Sequence, residues 1–248
     1  MQRNIIYLDH SATTPVLPAV VEAMAPYWNE QYGNPSSHHR TGYIAARAVN
    51  AARERVADIL GTEPDAIVFT GCGSESNNIA LRGVLTAASA AGRGKHLITS
   101  AVEHSAVLAT ARQLRDYFGF ELTILPTDEY GRVRLADVEA AIRPDTALIS
   151  VMAANNEIGS IQPWQEIGAL ARSRGILFHT DAVQLIASRK WSLGVEPIDL
   201  MTIAPHKFYG PKGVGILVVR PGMEIITSQS GGGHEGGLRA GTHNVPLI

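Results

Sequence analysis

Short apolar runs alternate along this chain with longer stretches whose apolar positions recur at helical spacing. The runs at 67–70, 96–100, 121–125, 147–152, 176–180, 200–204 and 215–219 read as strands. The stretches 76–90, 105–118, 135–142 and 164–174 between them read as helices. Four of the strand segments are continuously apolar rather than alternating, as strands buried on both faces are. Strand followed by helix, repeated, predicts a three-layer α/β fold: a mainly parallel seven-stranded sheet with helices on both faces. Nearer the start, "QYGNPSSHHRTG" at 31–42 is rich in turn residues and separates an N-terminal helix from a long helix at 43–60.

Composition narrows the class. With 248 residues, 45% of them hydrophobic, 18% charged and a formal net charge of -2, the chain reads as one soluble globular domain with at most a small appendage. It lacks the basic excess of a nucleic-acid binder, so no nucleic-acid partner is expected. The start "MQRNIIYLDHSATT" has no apolar signal core, and no run approaches the ~18 apolar residues of a membrane span. One cysteine, Cys72, rules out an internal disulfide framework and makes a reducing cytoplasm the default setting. Of nine histidines only His38 and His39 are adjacent, without ligand spacing, so no metal site is expected.

In open α/β sheets ligands sit outside the carboxyl ends of the strands, so the residues just past each strand carry the candidate chemistry. After the first strand, "TGCGSESNN" at 70–78 turns into a helix, and its free N–H groups form a candidate anion cradle. Plain capping by Ser74 is the simpler reading. His104 follows the second strand, Asn155 and Asn156 the fourth, Asp181 and Gln184 the fifth. Each alone could be a cap or a satisfied buried polar group. Lys207 follows the sixth, between His206 and Phe208, where partial desolvation would lower its pKa and make the amine a nucleophile. Lys212, by contrast, lies in a Pro-Lys-Gly turn with its charge in water. An imidazole, an amide, a carboxylate and a lysine at one sheet edge, beside a phosphate-type turn, suit a phosphorylated heteroaromatic cofactor that bonds a lysine.

The stretches "YLDHSATTP", "YGNPSSHHRTG", "FTGCGSESNNIAL", "VEHSAV", "NNEIGSIQP", "HTDAVQ", "HKFYGPKGVG" and "GGGHEGGLRAGTHNVPLI" resemble, in order, those of the class V aminotransferase group of pyridoxal 5'-phosphate (PLP) enzymes, specifically the cysteine desulfurases of the NifS/IscS type. The resemblance implies that Lys207 bonds the PLP aldehyde and, when released, moves protons. It implies that Asp181 pairs with the pyridine nitrogen, that Gln184 bonds the phenolic oxygen, and that His104 stacks on the ring as an acid/base. Asn155 would contact the cofactor oxygen and the substrate carboxylate. Gly73, Ser74 and His206 would hold the phosphate, and Thr242 would reach the phosphate of a neighbouring subunit in a homodimer. The implied reaction converts L-cysteine to L-alanine and hands sulfur, as a persulfide, to an acceptor or scaffold protein for iron–sulfur cluster assembly or tRNA thiolation. A PLP-dependent lyase or aminotransferase of the same fold, or a non-catalytic desulfurase partner, are the other readings.

The chain departs from the pattern in places. Ala204 stands where a serine is common, Gly236 where an arginine is, and Cys72, expected as a small packing residue, where a glycine is. The family's persulfide-forming cysteine and substrate-binding arginine lie in a C-terminal small domain beyond residue 248. The expected division is therefore 1–15, a segment joining the small domain; 16–248, the PLP-binding large domain; and no small domain. On that reading the chain is truncated and inactive alone, with apolar surface uncovered at 245–248.

Overall fold

The computed structural model describes residues 6–227 and 229–248. Seven strands form one sheet in the order β1-β7-β6-β5-β4-β2-β3. They are β1 (Ile67–Thr70), β2 (His96–Ser100), β3 (Glu121–Leu125), β4 (Thr146–Ser150), β5 (Leu177–Asp181), β6 (Leu200–Ile203) and β7 (Gly215–Val219). Only β7 runs against its neighbours, pairing antiparallel with β1 and β6. The helices are α1 (Pro18–Met24), α2 (Pro26–Asn29), α3 (Arg40–Leu60), α4 (Gly73–Ala90), α5 (Ser105–Phe118), α6 (Leu135–Ala141) and α7 (Trp164–Ser173).

Continuous apolar runs are what this arrangement demands, because successive side chains enter different layers. In β7, Ile216 and Val218 pack with Phe178 and Met201 in the layer containing residues of α3 and α7, whereas Leu217 and Val219 join Leu81, Leu85 and Val107 of α4 and α5. β3, an edge strand, is the exception: Glu121 is exposed and only Leu125 is buried.

Small differences from the expected bounds have local causes. α4 begins at Gly73 because Cys72, in extended conformation, is its N-cap: the thiol sulfur accepts the Glu75 N–H at 3.4 Å. This corrects two expectations, since Ser74 lies inside the first turn rather than capping it, and Cys72 is exposed rather than packed. α3 begins at Arg40 because the His39 ring accepts the Gly42 N–H. Ile176 stays out of β5 because its N–H bonds the Ala171 carbonyl at 2.9 Å, closing off α7.

Two buried histidines tie the strands together. His96 bridges Thr146 and Thr123, both at 2.8 Å, across β4, β2 and β3. His179 bridges Ser150 at 2.8 Å and Thr202 at 3.1 Å across β4, β5 and β6, and burial drives its pKa down to about 3, so the ring is neutral. These bridges fix the registers that carry Asp181, two residues further along β5.

The last segment is anchored by Glu235. Its carboxylate accepts two bonds from Arg53, at 2.9 and 2.6 Å, one from the Phe69 N–H at 2.7 Å and one from His243 at 2.5 Å. The positive φ of Glu235, 51°, is a conformation such a residue holds only when its surroundings fix it. Val245 is 8% exposed, and Leu247 and Ile248 pack against the core. The expectation of uncovered apolar surface at 245–248 is therefore wrong: the run folds back onto the layer beneath the sheet.

Burial alone would push the Glu235 carboxyl up, but the bonds from His243, Arg53 and Phe69 outweigh it and hold its pKa at about 2. A depressed carboxylate contributes stability above its unfolded value and loses it as pH falls towards the folded one. Glu235→Gln is thus expected to cost about 3 kcal/mol at pH 7 and nearly nothing at pH 2, from a shift of 4.5 to about 2. Urea unfolding at both pH values checks this, and an equal loss at both would contradict it.

Candidate active site

Past the carboxyl ends of β5 and β6 lies a cavity of about 550 Å³. Gly73, Ser74, His104, Asp181, Gln184, His206 and Lys207 all line it. Four separate segments supply them, so only the sheet brings them together. A larger cavity of about 640 Å³ opens near the other end of the strands, between α3, β6 and β7. It gathers none of these groups, and its Asp199 is already satisfied by Arg220 at 3.0 Å and the Phe178 N–H at 2.8 Å.

Lys207 sits in the turn after β6, and its Nζ donates to the backbone carbonyls of Ser11 and, at 3.0 Å, Ala12. Burial lowers its pKa, against the opposing pull of Asp181, Asp9 and Glu157. Asp181 closes β5, and its oxygens accept from Asn77 Nδ2 at 2.8 Å and the Val183 N–H at 3.1 Å. Burial raises its pKa, and the bonds from Asn77 and Val183, with the charges of His104 and Lys207, only partly offset this. Each charge favours the other's ionised form, yet at both residues desolvation is the larger effect.

The remaining groups frame these two. The N–H groups of Gly73 and Ser74 open α4 and have no partner within the helix. A Cβ on Gly73 would lie 3.2 Å from Ala204 Cβ, so glycine lets the turn approach the end of β6 closely. His206 shares a hydrogen bond with Thr13 Oγ1 at 3.1 Å, and burial, with Lys207 and Lys212, lowers its pKa. Gln184 donates to the Ser11 carbonyl at 3.0 Å. His104 caps α5, its Nδ1 accepting the Ala106 N–H at 3.1 Å, which leaves Nε2 for a ligand.

Two expected residues stand elsewhere. Asn155 does not line the cavity: its oxygen accepts the N–H groups of Glu157 and Ile158 at 2.9 and 3.0 Å, and its amide donates to the Val102 carbonyl at 2.9 Å. Its neighbour Asn156 lines the cavity instead. Thr242 is exposed and outside it. Residues not anticipated are Asn77, with its oxygen buried and unpartnered, and the N-terminal segment, whose Asp9, Ser11 and Ala12 wall the cavity. Asn77 had a sequence signal, one helical turn beyond Gly73; the carbonyls of Ser11 and Ala12 had none. Among the described residues no group of three or more His, Cys, Asp or Glu could hold a metal ion.

The aminotransferase class-V family model matches residues 6–247. The chain belongs to the class-V aminotransferases. Within that family it is 49% identical over 247 residues to the cysteine desulfurase IscS of Methanosarcina thermophila, covering 100% of this chain and 60% of that protein. It is 46% identical to the human cysteine desulfurase, over 98% of this chain and 53% of the relative. Solved structures agree: a NifS-like protein superposes with a TM-score of 0.93 at 42% identity, covering 98% of this chain and 66% of that one. SspA in complex with cysteine gives 0.94 at 41% identity, covering 98% and 70%. The chain spans about half to three-fifths of the length of the curated relatives it matches. Class-V aminotransferases use PLP, and the cavity fits it: an amine held only by backbone carbonyls, a buried acid and a helix N-terminus surround one space, with the Asn77 oxygen still unpartnered.

Proposed function

We propose that this chain is the PLP-binding large domain of a cysteine desulfurase, which converts L-cysteine to L-alanine and passes sulfur on as a persulfide. The observation carrying this reading is the placement of Lys207 and buried Asp181 on one cavity that the N-terminus of α4 also faces. Similarity to proteins named as cysteine desulfurases supports the substrate.

When bound, PLP supplies an electron sink for the bonding electrons at the substrate Cα. Lys207, its charge disfavoured by burial, would be the amine that bonds the cofactor aldehyde, and its free Nζ would be placed to carry the substrate Cα proton. Asp181 holds the proton on the pyridine nitrogen through a charge-assisted bond. Gln184 would donate to the cofactor's phenolic oxygen, and His104, on the cavity wall with Nε2 uncommitted, would exchange protons there. The N–H groups of Gly73 and Ser74, with His206, hold the phosphate, favoured by the helix dipole. Thr242 is assigned to the phosphate of a second subunit, consistent with its exposure here. Asn155, which does not line the cavity, holds the loop before His104 through its bond to the Val102 carbonyl.

The wider assignment follows from the same reading: a cytoplasmic homodimer serving a sulfur acceptor or scaffold protein, with residues 1–15 joining a small domain outside 16–248. Among the described residues, no helix is long and apolar enough to cross a membrane. Residues 1–5 of the N-terminal segment lie outside the described residues.

The test supplies the protein with PLP, L-cysteine and a reductant and measures products. Alanine and sulfide are expected in equal amounts when a segment bearing the acceptor thiol is supplied, and neither from residues 1–248 alone. A keto acid instead of alanine would make the chain an aminotransferase, and no absorption change on PLP addition would make it a non-catalytic partner. Sulfide release by the 248-residue chain that disappears in Cys72→Ser would assign the acceptor thiol to exposed Cys72.

A further inference from the structure

Glu103 precedes His104, is 7% exposed, and takes no part in the chemistry above. Its Oε1 accepts the Ser100 hydroxyl at 2.6 Å, at the end of β2, and the Met152 N–H at 2.9 Å, just past β4. Its Oε2 is buried with no hydrogen-bond partner. One carboxyl therefore joins the ends of two neighbouring parallel strands at the point where the chain leaves β2 for α5. A second bond, from Asn155 to the Val102 carbonyl, holds the residue before it. Between them these side chains fix the short loop 101–104, and that loop, together with the cap His104 makes on α5, sets where the imidazole enters the cavity.

We propose that Glu103 is the positioning residue for His104: a buried, neutral carboxyl that latches the loop between β2 and α5 onto the end of β4. The assignment of His104 as a proton-exchanging group rests on the function proposed above; the latch itself does not.

A neutral latch is the form the surroundings favour. Burial pushes the Glu103 carboxyl up to about 8, the bonds from Ser100 and Met152 pull it down only in part, and the Asp181 carboxylate at the end of β5 adds to the rise. Asp181 is the charged group that acts on it; Lys207 and His104 act in turn on Asp181. No cation pairs with Glu103 among the described residues, so ionising it would leave a charge beside an unbonded oxygen. A protonated carboxyl still accepts both bonds through Oε1. A glutamine would accept the same two through its amide oxygen, with nearly the same volume.

That equivalence makes the test. Glu103→Gln and Glu103→Ala are compared with the wild type by the NMR signal of the His104 imidazole, by PLP affinity and by the pH dependence of unfolding without cofactor. Glu103→Gln should leave the His104 signal in place and change the PLP dissociation constant less than about twofold, whereas Glu103→Ala should shift the signal and weaken PLP about tenfold. A group whose folded pKa is raised contributes stability below its unfolded value and loses it as pH rises through the folded one. The wild type should therefore lose stability between pH 4.5 and about 8 more steeply than Glu103→Gln does. If Glu103→Ala does not fold, the His104 signal and the pH slope of Glu103→Gln still decide. An unmoved His104 signal in folded Glu103→Ala would reduce Glu103 to a structural residue. An equal pH slope in wild type and Glu103→Gln, or a displaced His104 signal in Glu103→Gln, would show that the charged form does the holding; each overturns the proposal. Should wild-type protein fail to bind PLP, the cofactor reading falls, while the His104 signal and the pH slope still judge the latch.

Discussion

Borohydride reduction of the PLP-loaded protein is expected to fix a pyridoxyl group on Lys207 and none on Lys212. The two lysines are five positions apart, and their settings separate them. Lys212 is exposed in the turn before β7 and outside the cavity. Lys207 lines the cavity, and burial there favours the uncharged amine, which is the form able to attack an aldehyde. The carbonyls of Ser11 and Ala12 hold its Nζ in place without neutralising it, so the amine is oriented before the cofactor arrives. Lys207→Ala is expected to lose both the cofactor bond and the proton carrier at Cα, lowering the rate by roughly 10²- to 10⁴-fold, with partial recovery on adding a small primary amine. Peptide mapping of the reduced protein is the measurement. Label on Lys212, or an active Lys207→Ala protein, would remove the basis of the mechanism.

Asp181→Asn should separate stability from activity. The carboxylate is buried, and its desolvation exceeds what Asn77, Val183 and the nearby cations return. Because its folded pKa is raised, the stability associated with Asp181 is present below the unfolded value and lost as pH rises through the folded one. An asparagine carries no charge: its one amide oxygen can keep the Val183 bond while its NH2 donates to the Asn77 oxygen once that amide turns over, so the cofactor-free variant should be more stable than wild type at neutral pH. With PLP bound, the same substitution would remove the charge proposed to keep the pyridine nitrogen protonated. Exchange of the alanine Cα proton should then slow by about 10²- to 10³-fold, the scale of losing one oriented electrostatic partner. Exchange at the wild-type rate would dissociate Asp181 from the ring nitrogen, and reduced stability of the cofactor-free variant would contradict the account of its burial. Stability given up at a functional group is a common trade.

Much of the architecture was legible in the chain. Strands β1, β2, β3 and β7 fall on the expected bounds, and β4, β5 and β6 within one or two residues, because a strand buried on both faces is a continuous apolar run bounded by turn residues. α5 also matches at both ends, from its His104 cap to the left-handed Gly119 that stops it. Helix starts were less legible where an unusual side chain caps them. The thiol of Cys72 and the ring of His39 each moved a start forward by three residues.

For the site, the chain order of strands and the chemistry of the residues after them pointed to Lys207, Asp181, Gln184, His104 and the turn before α4, while Gly73, Ser74 and His206 as phosphate ligands came only from the family resemblance. A parallel sheet brings the carboxyl ends of its strands to one edge whatever the loop details, so residue type and position there carry the information. The tertiary structure decided the rest. Asn155 and Asn156 are adjacent amides with the same local signature; only the path of the loop points one into its own backbone and the other at the cavity. Ser11 and Ala12 act through carbonyls that every residue has, so no sequence pattern could mark them as the groups holding Lys207. Asn77 and Glu103 matter because of what faces them across the sheet, Asp181 in one case and Met152 in the other. Local sequence settles where strands and helices form, since backbone preference and periodic burial act over a few residues. Which buried polar group meets which partner depends on contacts between residues about 50 to 100 positions apart, and those exist only once the sheet has closed.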